Sequence, residues 1–119
     1  MSNYKELDVW KESRILAIEI YNITDQGLFK KDYSFRDQIR RAAISIPSNI
    51  AEGDESGFNK LGIRYFYTAK ASLAEVETQL DIANNTGYIN NEEFEFLSKT
   101  IITISKRLTR LIQYRLSKQ

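Results

Sequence analysis

Apolar and small residues recur every three or four positions over two long stretches, and this spacing constrains the fold more than any other feature of the sequence. The repeated positions are Gly62, Phe66, Ala69, Leu73, Val76, Leu80 and Ala83 in one stretch, and Phe94, Leu97, Ile101, Ile104, Leu108 and Leu111 in the other. Such steps place the residues along one side of an α-helix that packs on neighbouring helices. Because no strand-like alternation extends over a comparable length, the sequence predicts an all-α fold.

Glycines divide the chain into four helical segments. Gly27 ends the first segment, Gly53 and Gly57 bracket a short acidic loop, and Gly87 precedes the last segment. The first to fourth segments are predicted as helices at roughly residues 4–25, 34–52, 57–85 and 90–117. The short connections predict an antiparallel, up-down-up-down four-helix bundle. A chain of 119 residues forms one domain of this kind, residues 1–119.

Local signals mark where three of these helices start and where one bends. Asn90 followed by Glu93 has the spacing of a capping box, as do Ser34 with Asp37 and, more weakly, Asn3 with Glu6. Pro47 lies within the second segment. Since proline cannot donate a backbone hydrogen bond, we expect a kink in that helix near Pro47.

The composition excludes most enzyme classes. The chain has no cysteine and no histidine, so it lacks a thiol nucleophile, a disulfide, a Cys/His zinc site and imidazole acid–base chemistry. We therefore expect no catalysis, no metal and no cofactor. Glu19 interrupts the most apolar stretch, residues 15–23, and no export signal or membrane span is evident. A cytoplasmic protein is expected.

The apolar arc of the first segment is wider than a monomeric bundle needs. Further apolar residues lie outside the main packing faces of the second and third segments. Scattered surface hydrophobes are one explanation. We favour self-association into a homo-oligomer, because apolar surfaces of this breadth are normally covered. The predicted interface residues are Val9, Leu16, Ile20, Ile23, Ile44, Ile63 and Tyr67.

Basic residues are unevenly distributed although the net charge is only +1. Lys99, Lys106 and Arg110 share one side of the fourth segment, and no basic residue occurs from Ala71 to Ser98. One interpretation is a solvated helix face whose end lies beside the acidic loop at residues 52–55. The other is a surface that contacts nucleic-acid phosphates. The candidate nucleic-acid-binding residues are Lys99, Lys106, Arg107, Arg110, Arg36, Arg40 and Arg41.

A row of polar residues follows one edge of the second segment. The row is Gln38, Ser45, Asn49 and Glu52, and Ser72 and Glu75 lie on a comparable edge of the third segment. A di-metal site in a helical bundle would need Glu-x-x-His pairs, and histidine is absent. We predict a structural network that satisfies its own polar groups, with Glu52 and Glu75 paired to Arg40, Arg41 or Arg14. Alanine at Asn49 or Glu52 should then destabilise the fold.

Three stretches of the sequence resemble a known family. They are the run Gln38-Ile39-Arg40-Arg41-Ala42-Ala43-Ile44-Ser45-Ile46-Pro47-Ser48-Asn49-Ile50-Ala51-Glu52-Gly53, the run Leu7-Asp8-Val9-Trp10 and the run Ala69-Lys70-Ala71-Ser72-Leu73-Ala74-Glu75. Together they resemble the 23S rRNA intervening-sequence proteins. The resemblance implies a small bacterial four-helix bundle that assembles as a ring-like homopentamer. A related branch, the accessory variability proteins of diversity-generating retroelements, binds nucleic acid and a reverse transcriptase through a basic surface.

Two classes of function stay open at this point. The first is a non-catalytic protein that binds nucleic acid through the basic helix surface, with RNA as the favoured ligand and DNA as the alternative. The second is a structural or adaptor oligomer that binds a protein partner, for example a reverse transcriptase, without touching nucleic acid. Salt dependence separates them, because phosphate contacts weaken steeply with ionic strength whereas apolar docking does not.

Overall fold

The structure, a computed structural model, describes residues 3–119. A 3-10 turn at Tyr4–Glu6 precedes the α-helices, which are α1 (Asp8–Thr24), α2 (Gly27–Lys31), α3 (Tyr33–Glu55), α4 (Lys60–Asn85) and α5 (Asn91–Ser117). Residues 3–119 contain no strand, so the prediction of an all-α fold is confirmed. Among these helices none is both long enough and apolar enough to cross a membrane.

The helix starts follow the capping chemistry, although not always at the predicted residue. At α5 the Asn90 side chain accepts from the Glu93 backbone N–H at 2.8 Å, and the Glu93 side chain accepts from the Asn90 N–H at 3.0 Å. This capping box was predicted. At α3 the cap is Asp32, whose carboxylate accepts from the Phe35 N–H at 3.1 Å, so the predicted cap at Ser34 is wrong. The side chain of Asn3 makes no capping hydrogen bond.

The short helix α2 was not predicted. It brings Phe29 into the core. The centroid of the Phe29 ring lies 4.9 Å from that of Phe35 and 5.1 Å from that of Tyr88. The Tyr88 hydroxyl donates to the second carboxylate oxygen of Asp32 at 2.7 Å. These contacts fasten the α4–α5 connection to the start of α3.

The four long helices surround one core. α1 packs against α3 and α5, and α4 packs against the same two helices. Within residues 3–119 no Cα atom of α1 lies within 8 Å of one in α4, and none of α3 lies within 8 Å of one in α5, so each of these pairs is diagonal across the core. The fully buried side chains along the core axis include Leu16, Ile20, Ile39, Ile46, Phe66, Leu80, Leu97 and Ile104.

Two glycines allow α3 and α4 to approach closely where they meet. A Cβ atom at Gly53 would lie 2.5 Å from the Phe66 ring and 2.9 Å from the Gly62 carbonyl oxygen. A Cβ at Gly62 would lie 2.7 Å from the Gly57 carbonyl oxygen. Pro47 is accommodated in α3, which is one uninterrupted helix from Tyr33 to Glu55. The kink near Pro47 stays a prediction.

Candidate nucleic-acid interface

The outer side of α5 carries the three basic residues that the sequence places on one line. Leu97, Ile101, Ile104, Leu108 and Ile112 face the core. Lys99, Lys106 and Arg110 lie on the opposite side and are exposed; we call these three residues the basic stripe. At 1.5 Å per residue they span about 17 Å of helix.

The cations of the basic stripe are not neutralised within the protomer. The ion pairs of residues 3–119 join Arg36 to Asp37, Arg107 to Asp8 and Glu12, and Arg115 to Asp54. No member of the stripe takes part in them. Glu95, one turn before Lys99, could have formed an i,i+4 pair with it, but the structure contains no such pair in the part of the chain that it describes. The stripe therefore presents its full positive charge to solvent.

Arg107 differs from its neighbours on α5. Its Nε atom lies 2.8 Å from Glu12 Oε1, and its Nη1 atom lies 3.4 Å from Asp8 Oδ2. Both carboxylates belong to α1, so Arg107 joins α5 to α1 and its charge is offset there. Its predicted place in a phosphate-binding surface is thereby weakened.

The arginines of α3 lie elsewhere on the molecule. Arg40 donates from Nε to the Thr24 hydroxyl at 2.7 Å, and its guanidinium stacks on the Tyr21 ring at 4.4 Å. Arg36 lies 3.6 Å from the carboxylate of Asp37 and donates to the carbonyl of residue 30 at 3.2 Å. Arg41 is exposed. Because α3 is diagonal to α5, the seven predicted cations do not form one surface.

Shallow grooves run along both sides of the basic stripe. The groove between α1 and α5 is lined by Glu12, Ile15, Glu19, Phe96, Lys99, Thr100 and Thr103. The groove between α4 and α5 is lined by Lys70, Leu73, Ala74, Glu77, Ile101, Ile102, Ser105 and Lys106. Partial burial raises the pKa of Glu19 above its usual value, and its Oε2 atom has no hydrogen-bond partner within residues 3–119. The basic stripe is thus flanked by apolar and acidic groups on both sides.

The polar row forms a smaller network than predicted. Asn49 donates from Nδ2 to the Ser45 hydroxyl at 2.9 Å and to the Ser45 carbonyl at 2.8 Å, and the Ser72 hydroxyl donates to the Ser45 hydroxyl at 2.9 Å. These three residues link α3 to α4, as the network prediction required.

Gln38, Glu52 and Glu75 are exposed and lie outside that three-residue network. Glu75 accepts a long hydrogen bond of 3.4 Å from Gln79. The predicted ion pairs of Glu52 and Glu75 with Arg40, Arg41 or Arg14 do not occur among the ion pairs of residues 3–119. That part of the prediction is wrong, because Arg40 is turned toward α1 instead.

Comparison with known proteins decides the family. The sequence model of the 23S rRNA-intervening sequence protein family matches residues 5–110. The chain belongs to that family. A crystal structure of a protein with unknown function from the S23 ribosomal protein family of Bacteroides thetaiotaomicron is similar to it, with a TM-score of 0.77 and 27% sequence identity. The alignment covers 87% of this chain and 97% of the other. No curated protein matches the chain.

Within this family member, four of the predicted interface residues belong to the core of the protomer. Leu16 and Ile20 are completely buried, Val9 is 4% exposed and Ile63 is 6% exposed. They contact other helices of the same chain and offer no surface to a second copy, so their assignment to an oligomer interface is corrected. The wide arc of α1 arises because this helix packs on two others.

The remaining predicted interface residues are accessible. Ile23 is half-buried, whereas Ile44 and Tyr67 are exposed. Ile15, Ile18 and Tyr21 are also exposed and follow the outer side of α1. The predicted interface set did not include them, although Ile18 and Tyr21 belong to the wide apolar arc of the first segment. Their signal was present in the sequence, since they fall on the opposite side of the helix from Leu16 and Ile20.

The family member also contains a buried ion pair. Sequence analysis placed the end of the fourth segment beside the acidic residues 52–55, but it did not identify which residues pair or that they are buried. Arg115 of α5 forms a hydrogen-bonded ion pair with Asp54 of α3, and both side chains are buried. Arg115 also donates from Nη1 to the Gly57 carbonyl at 3.0 Å, and it stacks on the Phe58 ring at 4.4 Å. The available signal was the position of Arg115 seven residues after Leu108, which places it on the core-facing side of α5.

Proposed function

We propose that this 23S rRNA-intervening sequence protein is a non-catalytic, cytoplasmic homo-oligomer that binds RNA through the basic stripe. The observation that carries the proposal is the exposure of Lys99, Lys106 and Arg110 on one side of a long helix, with no ion-pair partner in residues 3–119. Their spacing along the axis, about 10 Å and about 6 Å, suits contacts to successive phosphates. Phosphate contacts carry little sequence information, so binding should be weakly specific.

Self-assembly belongs to the same proposal. Ile18, Ile44 and Tyr67 are large apolar side chains that the protomer leaves 43%, 42% and 49% exposed. Burial of such residues against further copies would stabilise an oligomer. The homopentamer that the family resemblance implies would repeat the basic stripe five times around a ring.

We infer that the long helices alternate in direction as an antiparallel bundle. Contacts at the two ends of the molecule support this arrangement. Arg115, near the end of α5, contacts Asp54, near the end of α3. Tyr88, just before α5, contacts Asp32, just before α3. Thus α3 and α5 run the same way and α4 returns between them.

Charge reversal of the basic stripe tests RNA binding. In the triple variant Lys99→Glu, Lys106→Glu, Arg110→Glu, affinity for a single-stranded RNA should fall steeply. A plot of the logarithm of the RNA association constant against the logarithm of the salt concentration should fall more steeply for wild type than for the variant. The two slopes should differ by about 2, since three contacts each contribute about 0.7. The matched control is Lys5→Glu, Lys30→Glu, Lys31→Glu, which makes the same charge change at exposed residues outside α5.

The result also separates RNA binding from the protein-partner alternative. Exposed apolar side chains on α5, namely Phe96, Ile102 and Tyr114, favour a protein partner as the second candidate. If wild type binds no RNA at low salt, or if both triple variants lose affinity equally, the basic stripe is not an RNA-binding surface. The adaptor function then becomes the better account.

A further inference from the structure

α1 turns an apolar face toward solvent. Ile15, Ile18 and Tyr21 are 49%, 43% and 40% exposed; we call them the α1 face. Each is a large side chain, and together they follow more than one turn of the helix. A protomer alone leaves this surface in water.

α4 carries a second exposed face, on which most side chains are small. Tyr67 and Ile82 lie at its two ends, and the exposed residues between them are the small side chains of Ala71, Ala74 and Thr78. We call these five residues the α4 face. Because small side chains project less from the helix axis, another helix can come close to this part of α4. The stretch between Tyr67 and Ile82 therefore leaves room for large side chains such as those of the α1 face.

The two faces lie on opposite sides of the molecule. α1 and α4 both pack on α3 and α5, but within residues 3–119 no Cα atom of one lies within 8 Å of a Cα atom of the other. One protomer cannot bring its own two faces together. A second copy can place its α4 face on the α1 face of the first.

The edges of the two faces that lie toward α3 carry opposite charges, whereas the acidic residues of α1 lie toward α5. Asp8 and Glu12 pair there with Arg107, and Glu19 lines the groove between α1 and α5. The α1 face is accompanied by Lys11 and Arg14, which are exposed and take part in no ion pair of residues 3–119. On α4 the exposed basic residues Arg64 and Lys70 flank Tyr67, but from Ala71 to its end the helix has no basic residue and carries Glu75, Glu77 and Asp81, all exposed. Opposite charges of this kind favour and orient the association of two surfaces.

The positions of Arg14 and Glu75 make them a pair across such a contact. Arg14 lies seven residues before Tyr21, so it shares the α3-facing edge of α1 with Tyr21, on whose ring the α3 residue Arg40 stacks. Glu75 lies three residues after Ser72, which bonds to Ser45 of α3, so it occupies the α3-facing edge of α4. When copies are related by rotation about an axis along the helices, these two edges meet.

We propose that the α1 face of one copy docks on the α4 face of the next copy, with Arg14 of the first opposite Glu75 of the second. The contact joins two different surfaces, and repetition of such a head-to-tail contact closes a ring when the rotation allows it. This inference rests on the self-assembly proposed above. It adds which faces meet and which charges pair.

The test is an exchange of charges measured by light scattering coupled to size exclusion. Arg14→Glu and Glu75→Arg each place like charges opposite one another, so each variant should weaken self-association by roughly tenfold or more. The double variant Arg14→Glu, Glu75→Arg restores the attraction in reversed order and should assemble as wild type does. Arg41→Glu, a charge reversal at an exposed residue of α3, should leave assembly unchanged. Circular dichroism confirms that each variant is folded.

The outcomes distinguish the pairing of the α1 and α4 faces from the self-assembly proposal on which it rests. A wild-type protein that stays monomeric at high concentration overturns both. If wild type assembles and the single variants also assemble, self-association stands but the pairing of the α1 and α4 faces is overturned. If the single variants dissociate and the double variant does not recover, the contact between Arg14 and Glu75 is overturned.

Discussion

Arg115 and Asp54 form an ion pair that is almost completely shielded from solvent at the end of the molecule where α3 and α5 finish. The same guanidinium donates to the Gly57 carbonyl and stacks on Phe58. One side chain therefore holds the α3–α4 connection and the last turn of α5 together. A buried charge of this kind is tolerated only because its partners are in place.

Removal of Arg115 should be strongly destabilising. Arg115→Met leaves the Asp54 carboxylate buried without a counter-charge, and loss of one partner of such a pair typically costs about 3–5 kcal/mol. Urea unfolding followed by circular dichroism measures the change. Arg110→Met, at an exposed position, is the control and should change stability by less than about 0.5 kcal/mol. Equal unfolding midpoints for the two variants would contradict the structural role of Arg115.

Gly53→Ala should destabilise the protein although alanine is the better helix former. In an open helix the change would gain about 1 kcal/mol. Here the new methyl group would lie 2.5 Å from the Phe66 ring and 2.9 Å from the Gly62 carbonyl oxygen, and such overpacking costs about 1–3 kcal/mol. Ser48→Ala, at an exposed position of α3, provides the control. A stability gain at Gly53 would show that α3 and α4 are farther apart than described.

Asn49→Ala should lower the free energy of unfolding by about 1–2 kcal/mol. The change removes both hydrogen bonds that Asn49 donates to Ser45 and leaves the Ser45–Ser72 link between α3 and α4 without its support. Glu52→Ala, expected from the sequence alone to have a similar effect, becomes the control because Glu52 is exposed. It should change stability by less than about 0.5 kcal/mol. Identical thermal midpoints for the two variants would remove Asn49 from the structural network.

The hydrogen bond between Tyr88 and Asp32 should make stability depend on pH. Donation from the Tyr88 hydroxyl, together with the Phe35 N–H, lowers the pKa of Asp32 below its usual value. A lowered pKa means that the ionised carboxylate stabilises the fold above about pH 4, and that this contribution is lost as the pH falls through the pKa of the folded state. The same bond raises the pKa of Tyr88, so its hydroxyl keeps donating throughout the neutral range.

Tyr88→Phe tests this linkage. The variant should be less stable than wild type at neutral pH, and the difference should shrink as the pH falls through the lowered pKa of Asp32, because the carboxyl group is protonated in both proteins below that point. NMR titration should show the pKa of Asp32 rising in the variant. Tyr33→Phe, at a tyrosine exposed to solvent, should show no such pH dependence. A pKa of Asp32 that is unchanged by Tyr88→Phe would contradict the assignment.

The sequence predicted the long helices well because their packing is periodic. The steps of three and four between Phe66 and Leu80, and between Leu97 and Leu108, correspond to the buried sides of α4 and α5. The helix α2 could not be predicted in this way, because five residues are too short to show a period. Its position depends on the long-range contact of Phe29 with Tyr88.

The candidate site was less predictable than the fold. Exposure of Lys99, Lys106 and Arg110 followed from the helical period alone. The engagement of Arg107 with α1, of Arg40 with Thr24 and of Arg115 with Asp54 depends on which helices are neighbours. Periodicity identifies the side of a helix that is buried, but it does not say which helix covers it. For the same reason Leu16 and Ile20 were assigned to an interface and lie in the core.

The place of α5 between α1 and α4 has a consequence for binding strength. If neighbouring copies meet through α1 and α4, each α5 stays uncovered. The α5 helices of all copies then face the same surface of the ring, either the inner or the outer one. One RNA strand could then follow several basic stripes, and each contact after the first would occur at a high effective concentration. Weak individual contacts would add up to a tight complex. Affinity for RNA would thus depend on the number of subunits, and long strands would be retained where short ones are released.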